Sequence, residues 1–359
     1  MQNLRIFIIF LTNGIKIMTN GNFKVNLDLD SKKTTHVAVA VFRYGDEFLL
    51  ARRHTRQHQG GKLEFVGGKI EQSESPISAL IREVDEELGL DIHGNVITKM
   101  GRIWHDYGDK VVCLHVYQVL LTDDQYIDFR DRKLGCDGQE IGFFKREDIL
   151  SQEQNFPAAN AAILAWLTLP DTITISHELR YFNNKTDWLD CYKNLPKNST
   201  LLVRTKDSDN EDLLRLLIAA RTDLRLVLSL EDWRKVKDGQ NLSLNQIIAI
   251  RLTHHELMNI NLSELNLPHP PIIASCHDIS SLIKVNELAK LHPVMALLLS
   301  PVKPTATHPA ASALGWKVFE ELAEVSDVPV IGLGGLSPDD LSDAHDHGAV
   351  AVAGIREFL

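Results

Sequence analysis

The stretch GKIEQSESPISALIREVDEELGL, residues 68–90, decides the fold of the first half of the chain. Pro76 suits the first turn of a helix and Gly89 suits a C-terminal stop, so the sequence predicts a helix between them. The pair Gly67-Gly68 precedes this helix, and it is expected to end a short apolar strand and to let the backbone approach its neighbours closely. The stretch therefore predicts a glycine loop followed directly by a helix.

Three carboxylates of this helix share one face. Glu83, Glu86 and Glu87 stand at positions i, i+3 and i+4. Like charges so close repel one another unless a cation lies against them, and Mg²⁺, with Mn²⁺ as the alternative, prefers carboxylate oxygens. Arg82 is expected to reach back to Glu74 and so to fix the loop on the helix. The pattern predicts a divalent-metal site, with a solvated acidic helix face as the alternative.

Nine spaced positions of the stretch match the pattern GX5EX7REUXEEXGU completely, where U is an apolar residue. The first domain therefore resembles the Nudix hydrolases. Residues 62–71, KLEFVGGKIE, are similar to the MutT branch of that family, in which proline is usual at the position of Val66. The resemblance covers residues 34–168. It implies an α/β/α sandwich with a mixed sheet, Mg²⁺ as cofactor with the Gly68 carbonyl as a further ligand, and a nucleoside triphosphate as the small-molecule substrate.

The same resemblance implies further site residues. Asp137 stands beside a Gly-Gln pair, at a position where the branch has an acidic residue near the metal, although aspartate is one methylene shorter. Asn160 ends the segment FPAAN and matches an asparagine whose amide hydrogen-bonds the purine edge, a helix cap being the alternative. The other implied substrate-binding residues are Arg53, His58 and Phe65. A surface charge and a loop histidine are the alternatives for the first two of these.

Composition and charge narrow the class of protein. The chain has 359 residues, of which 44% are hydrophobic and 24% charged, an ordinary globular composition with room for two domains. The net charge of −10 argues against partners such as nucleic acid or an anionic membrane. The first apolar run, residues 6–11, is too short for a bilayer span of about 20 residues. Four distant cysteines without a CxxC pair argue against disulfides or a cysteine zinc site and favour the cytoplasm.

The first domain is expected to begin at residue 34. Residues 1–33 are expected to be a disordered lead-in, or partly a mis-assigned start with Met18 as the true first residue. Strand patterns and turn signals then alternate up to a Leu-Pro boundary that ends the domain at residue 168. The predicted strands are 36–42, 47–53, 63–66, 98–103, 110–121 and 141–144, and a second helix is predicted at 158–167.

The second half has a different sequence pattern, in which short apolar strands alternate with segments whose apolar residues recur at helical spacing. Eight such units between residues 172 and 359 predict a (β/α)₈ TIM-type barrel, with a doubly wound open sheet as the alternative. The predicted strands are 172–176, 200–205, 224–229, 246–252, 271–275, 295–299, 329–333 and 350–354.

Glycines near the C-terminus predict a phosphate-binding site at the ends of the last two barrel strands, because backbone N–H groups there can bind a phosphate. The segments PVKPTAT (301–307) and the Gly-Gly turn, with an RxK segment at Arg204 and Lys206, resemble the thiamine phosphate synthase/TenI family over residues 172–359. The family's Asn-Asp pair after the third strand is missing, and Glu256 only weakly matches the aspartate after the fourth. The implied phosphate-binding residues are Thr305, Thr307, Gly334, Gly335 and Gly354.

Together the two resemblances imply a Mg²⁺-dependent pyrophosphohydrolase that converts 8-oxo-dGTP to 8-oxo-dGMP and pyrophosphate and so serves replication fidelity. The catalytic residues implied are Glu83, Glu86, Glu87 and Asp137. The proton acceptor stays open between a helix carboxylate and Asp137. The barrel is expected to bind a phosphorylated ligand without turnover. The alternatives are a thiamine phosphate synthase, alone or as half of a bifunctional enzyme, a barrel that is only a vestigial scaffold, and a Nudix domain governed by a ligand-binding barrel.

Overall fold

A computed structural model describes residues 7–11, 14–18, 34–54, 59–108, 110–206, 210–237, 244–261, 270–305 and 312–359. Within the range expected to be a disordered lead-in, strands β1 (Phe7–Leu11) and β2 (Gly14–Met18) pair as an antiparallel hairpin. In this pairing Leu11 lies opposite Gly14 and Phe7 lies opposite Met18. The rest of the predicted lead-in lies outside the described residues.

The first domain is built on a mixed sheet of seven strands, in which β3 and β8 lie parallel and the other pairs are antiparallel. The main path runs β5-β4-β3-β8-β7, while β6 pairs with β3 and β9 pairs with β4. The strands are β3 (Thr34–Tyr44), β4 (Glu47–Arg52), β5 (Leu63–Glu64), β6 (Val66–Lys69), β7 (Ile97–Asp106), β8 (Val111–Leu120) and β9 (Ile141–Lys145).

Helix α1 (Pro76–Leu88) has the bounds that Pro76 and Gly89 predict. The Ser75 side chain accepts a hydrogen bond from the backbone N–H of Ser78, and Gly89 adopts the left-handed conformation at φ 65°. The apolar residues of the helix pack against the sheet. They lie on the side of the helix opposite its carboxylates. These buried residues are Ala79, Leu80, Val84 and Leu88.

The sequence predicts that the glycine pair ends a strand, and this prediction is wrong. Gly67 and Gly68 belong to β6, where they pair with Val39 and Ala38 of β3. Gly67 has φ 150°, and a Cβ there would overlap the Ala38 carbonyl oxygen. Glycine is needed because two backbones approach closely within a continuing sheet, not because the chain turns.

Short helices complete the first domain. The helices are α2 (Asp123–Phe129), α3 (Arg146–Leu150) and α4 (Ala161–Trp166). Helix α2 was not among the predicted elements, although Thr122 and Gln125 form the capping box that signals a helix start. The predicted helix over 158–167 begins as a 3₁₀ turn at Ala158–Asn160 before α4.

The second half is a closed barrel of eight parallel strands in sequential order, so the TIM-type prediction is confirmed and the open-sheet alternative is wrong. The strands are β10 (Thr172–Ile175), β11 (Thr200–Leu202), β12 (Arg225–Ser229), β13 (Ile247–Leu252), β14 (Ile272–Cys276), β15 (Val294–Leu299), β16 (Val330–Leu333) and β17 (Ala351–Gly354). The helices are α5 (Lys185–Lys193), α6 (Glu211–Ala220), α7 (Leu230–Lys237), α8 (His254–Asn259), α9 (Ile279–Ala289), α10 (Gly315–Val325) and α11 (Leu341–Asp346).

One hydrophobic cluster spans both halves. Trp166 of α4 is buried in the same cluster as Val294 and Val328, which lie at the start of barrel strands or just before one. The indole Nε1 of Trp166 donates to the Val294 carbonyl oxygen at 3.3 Å. The first domain therefore closes the N-terminal end of the barrel, and the loops that follow the strands lie at the opposite end. Within the described residues, no helix is long and apolar enough to span a membrane.

Candidate active site

Arg82 holds the glycine loop and the acidic helix face together, as the sequence predicts. Its guanidinium donates to both carboxylate oxygens of Glu74 at 3.0 Å, and to Glu83 at 2.9 Å and Glu86 at 3.2 Å. It also donates to the Lys69 carbonyl oxygen at 3.0 Å. These hydrogen bonds, first those with Glu74, raise the pKa of Arg82, and the Arg82 bond lowers the pKa of Glu74. The hydrogen bonds of Arg82 fix the position of Glu83 and leave Glu86 more than half exposed.

Glu83 lies directly against the backbone of Gly68. A Cβ at Gly68 would overlap the Glu83 carboxylate group. Only glycine lets this carboxylate and the backbone of β6 occupy adjoining positions. The arrangement is consistent with the implied ligand set, in which the Gly68 carbonyl oxygen joins the helix carboxylates.

Glu87 is the carboxylate whose chemistry its surroundings change most. Its pKa is raised to about 8, first by burial and then by the negative charges of Glu64, Glu83 and Asp137, against a hydrogen bond from the Gly67 backbone. The charges of three other carboxyl groups thus act on the partly buried Glu87. Such a site favours a divalent cation, since positive charge there relieves both the burial and the repulsion. The donor set therefore fits Mg²⁺ or Mn²⁺.

The loop that carries Asp137 is docked on the C-terminal end of α1. The Cys136 backbone N–H and the Gln139 side-chain Nε2 both donate to the Glu87 carbonyl oxygen, at 2.7 and 3.1 Å. Asp137 itself is exposed, and its charge acts on Glu87. The tertiary fold therefore brings Asp137 to the carboxylate cluster although it is 50 residues from Glu87 in the sequence.

The segment that carries Asn160 packs on the other face of the sheet, at the start of α4. Asn160 is 8% exposed, and its side chain neither caps α4 nor hydrogen-bonds any described residue. Next to it, the Phe156 ring stacks on Phe65 with centroids 5.8 Å apart, and Lys62 Nζ donates to the Phe156 carbonyl oxygen at 3.0 Å. The cap alternative for Asn160 is wrong. Phe65 is 5% exposed and belongs to the hydrophobic core beside Asn160.

Arg53 forms an ion pair with the partly buried Glu64, so the surface-charge alternative does not describe it. Burial raises the pKa of Glu64, and Arg53 opposes that shift. Tyr107 lies near both Arg53 and the backbone of Ala159. Glu64 and Tyr107 were missed as site residues. Glu64 carried a signal, since it is a charged residue between two apolar ones at the end of a strand. His58 lies outside the described residues.

At the C-terminal end of the barrel, the glycine turn packs against the loop after β15. Gly334 and Gly335 have φ 101° and 68°, and the Lys303 backbone N–H donates to the Gly334 carbonyl oxygen at 2.9 Å. A Cβ at Gly334 would lie 3.3 Å from the Thr305 methyl group, so these predicted residues do converge. Gly354 faces the Phe358 ring, which covers its Cα. Thr307 lies outside the described residues.

The cations of the RxK segment are already paired. Glu178, 3% exposed, accepts from Arg204 Nη2 at 2.8 Å and from Lys206 Nζ at 2.9 Å. Arg180 Nε contacts its other oxygen at 2.7 Å. Burial alone would raise the pKa of Glu178, but the bonds from Lys206 and Arg204 outweigh burial and lower it. Glu178 therefore occupies the position that an anionic ligand of these two cations would take.

The acidic residues after the third and fourth barrel strands stabilise the local structure through hydrogen bonds. Asp232 accepts from Asn210 Nδ2 at 3.0 Å and from Ser229 Oγ at 2.8 Å. Glu256 accepts from the backbone N–H and the hydroxyl of Thr253, each at 2.7 Å, and so closes a capping box at the start of α8. Each carboxylate is engaged by its own helix start.

The fold and the carboxylate site define a hydrolase domain of the Nudix type joined to a barrel of the thiamine phosphate synthase type. A family model described as NUDIX domain matches residues 34–167, and one described as Thiamine monophosphate synthase matches residues 256–358. The chain belongs to the Nudix family, and its first domain is a hydrolase acting on nucleoside triphosphates.

Three curated relatives illustrate both halves. The 8-oxo-dGTP diphosphatase of Proteus vulgaris is 37% identical over 90 residues, which make up 24% of this chain and 78% of the relative. The CTP pyrophosphohydrolase of Escherichia coli K12 is 34% identical over 88 residues, 24% of this chain and 63% of that protein, which is less than two thirds of its length. The "Putative thiamine-phosphate synthase 2" of Aquifex aeolicus is 26% identical over 202 residues, 54% of this chain and 100% of the relative.

Proposed function

We propose that the first domain is a Mg²⁺-dependent pyrophosphohydrolase whose preferred substrate is an oxidised purine nucleoside triphosphate, 8-oxo-dGTP. One observation carries the proposal: Glu87, on which the charges of three other carboxyl groups act, lies in the same domain as Asn160, whose side-chain amide hydrogen-bonds no described residue. An amide side chain offers a donor and an acceptor, so the unengaged Asn160 amide can meet a purine edge that offers both.

Some residues of the site bind the cation or accept a proton, and others position these groups. Glu83, Glu86, Glu87 and the Gly68 carbonyl would hold the cation, which neutralises phosphate charge and helps to activate water. Water attacks a phosphorus of the triphosphate chain, the anhydride bond breaks, and the monophosphate and pyrophosphate leave. A carboxylate of the helix or Asp137 takes the proton of the attacking water. Arg82 positions Glu83 through its hydrogen bond.

The test is turnover by the full-length chain with Mg²⁺ on 8-oxo-dGTP, dGTP and CTP, with the products separated by chromatography. We expect the highest kcat/KM for 8-oxo-dGTP and equal amounts of monophosphate and pyrophosphate. CTP serves as the comparison because a relative is named for it. A higher kcat/KM for CTP or dGTP would overturn the proposed base preference, and release of inorganic phosphate alone would overturn the proposed bond.

For the barrel, we propose binding of a phosphorylated ligand without thiamine phosphate synthesis. The pairing of Glu178 with Arg204 and Lys206 supports this, because a pyrophosphate would have to displace a buried carboxylate from both cations. The capping role of Glu256 supports it as well, because a carboxylate bonded to its own helix start is not free to hold a metal ion. The four unpaired cysteines suit a reducing compartment, and we propose the cytoplasm as the location.

A further inference from the structure

Three side chains with metal-binding atoms meet on two neighbouring strands of the first domain. His36 lies on β3, and Cys113 and His115 lie on β8, with His36 directly opposite Cys113 in the parallel register. His36 shares its sheet face with Ala38 and Ala40, since side chains on a strand alternate. Those alanines pack in the cluster that contains α1. The three residues are therefore on the helix side of the sheet, away from the face on which the Asn160 segment packs.

The distances among the three suit a single ion. His36 Nδ1 and His115 Nε2 are 3.0 Å apart, Cys113 Sγ and His115 Nε2 are 3.7 Å apart, and all three ligand atoms lie within 4.8 Å of one another. Around a tetrahedral zinc ion with bonds of about 2.0 Å to nitrogen and 2.3 Å to sulfur, neighbouring ligands are roughly 3.3–3.6 Å apart. Among the described residues, this is the one group of three His, Cys, Asp or Glu side chains so close together.

The protonation states also suit a cation. Burial lowers the pKa of His115 to about 3, and burial followed by the charge of Arg102 lowers that of His36, so both rings are neutral at neutral pH with lone pairs available. Burial raises the pKa of the Cys113 thiol to about 12, so an incoming metal must displace its proton. The nearby cations are paired, Arg102 with Asp327 and Lys99 with Glu324, which limits their repulsion of a metal.

We propose that His36, Cys113 and His115 form a binding site for Zn²⁺ that ties β3 to β8. Binding forms two Zn–N bonds and one Zn–S bond, releases the thiol proton to solvent, and leaves the fourth position to water. Imidazole and thiolate ligands distinguish this site from the carboxylate site on α1, which suits Mg²⁺. The inference does not depend on which nucleotide the domain hydrolyses.

Titration of the full-length chain with Co²⁺ tests the proposal, because a Co²⁺–thiolate bond gives a charge-transfer absorption that carboxylate ligands do not. We expect this band to saturate at one equivalent and Zn²⁺ to displace it. Cys113→Ser should abolish the band and weaken Zn²⁺ binding by at least about 100-fold. Cys276→Ser is the matched control, since Cys276 is equally buried but lies in the barrel, and it should keep the band.

A second variant, His115→Gln, keeps the thiol of Cys113 and should weaken Zn²⁺ binding. Circular dichroism of each variant is the control for folding. The absence of a thiolate band in the wild-type chain would overturn the proposal. So would a band that survives Cys113→Ser, or one that is lost with the exposed Cys136 instead.

Discussion

The backbone N–H of Arg102 donates to the carbonyl oxygen of Asp327 at 3.1 Å, so an edge strand of the first domain hydrogen-bonds to a loop of the barrel. Their side chains form an ion pair at the same place. Gly101 lies beside this contact at φ 152°, and a Cβ there would come 2.5 Å from the Asp327 oxygen. The barrel thus covers an edge that would otherwise be open to pairing with another chain.

Loss of the shared core should destabilise the whole chain. Trp166→Ala removes a side chain that is 3% exposed in the cluster joining both halves, and we expect the free energy of unfolding to fall by about 3–5 kcal/mol. Urea denaturation followed by circular dichroism measures this. The control is Leu216→Ala, 56% exposed on α6, which should change stability by less than about 0.5 kcal/mol. A loss below about 1 kcal/mol for Trp166→Ala would show that the halves do not share a core.

Removing one charge from the carboxylate cluster should stop hydrolysis without unfolding the domain. Glu87→Gln keeps the shape of the side chain but removes a cation ligand, and we expect kcat to fall by about 10²–10⁴-fold at saturating Mg²⁺. Asp85→Asn, an exposed carboxylate on the same helix, should leave kcat close to wild type. Near wild-type kcat for Glu87→Gln would remove Glu87 from the metal site.

Base selection should depend on Asn160. Asn160→Ala removes about one hydrogen bond to the purine edge, so the ratio of kcat/KM for 8-oxo-dGTP over dGTP should fall about tenfold, more than kcat itself. Asn155→Ala is the matched control, because this exposed amide in the preceding turn hydrogen-bonds Gln152. Competition assays with both triphosphates measure the ratio. An unchanged ratio would mean that Asn160 does not contact the base.

The barrel should not make thiamine phosphate. We expect no product from hydroxymethylpyrimidine pyrophosphate and thiazole phosphate, tested in the full chain carrying Glu87→Gln so that the first domain does not consume the pyrophosphate. Glu178→Gln should strengthen binding of inorganic pyrophosphate, measured by calorimetry, because it frees Arg204 and Lys206 from a carboxylate. Product at enzyme-like rates, or rescue of a thiamine auxotroph, would make the chain bifunctional.

The Arg43–Asp171 pair should stabilise the junction between the halves in a pH-dependent manner. Burial raises the pKa of Asp171, but the two hydrogen bonds from Arg43, at 2.6 and 2.8 Å, outweigh it and hold that pKa below 3.8. Because the folded pKa is the lower one, the stabilisation is present above pH 3.8 and is lost as pH falls through the folded value.

Asp171→Asn should therefore cost about 1 kcal/mol at neutral pH, a small value because Asp171 is partly exposed, and the difference from wild type should vanish in acid. Denaturation curves at several pH values measure it. Asp128→Asn, on the exposed face of α2, is the control and should show little change at any pH. A difference that stays constant down to the lowest pH would show that the charge of Asp171 is not involved.

The sequence by itself determined the local elements and the ligand types. The spacing of Glu83, Glu86 and Glu87 and the stop at Gly89 are properties of one helix, so they could be recognised without a fold. The eight barrel strands were equally clear, because each buried strand is a short apolar run bounded by polar residues. The glycine pair was the exception, since a close approach within a sheet and a turn use the same residue type.

Only the tertiary structure decided which distant residues meet. Glu64 and Asp137 act on Glu87 through strand pairing and a docked loop, and Glu178 pairs with Arg204 where the neighbouring strands β10 and β11 end. His36 and Cys113 are 77 residues apart in the sequence, so the absence of a CxxC pair said nothing about them. Sequence spacing reports contacts along one helix or strand, where the backbone fixes the geometry. Contacts between elements depend on sheet register and packing, which the whole chain sets together.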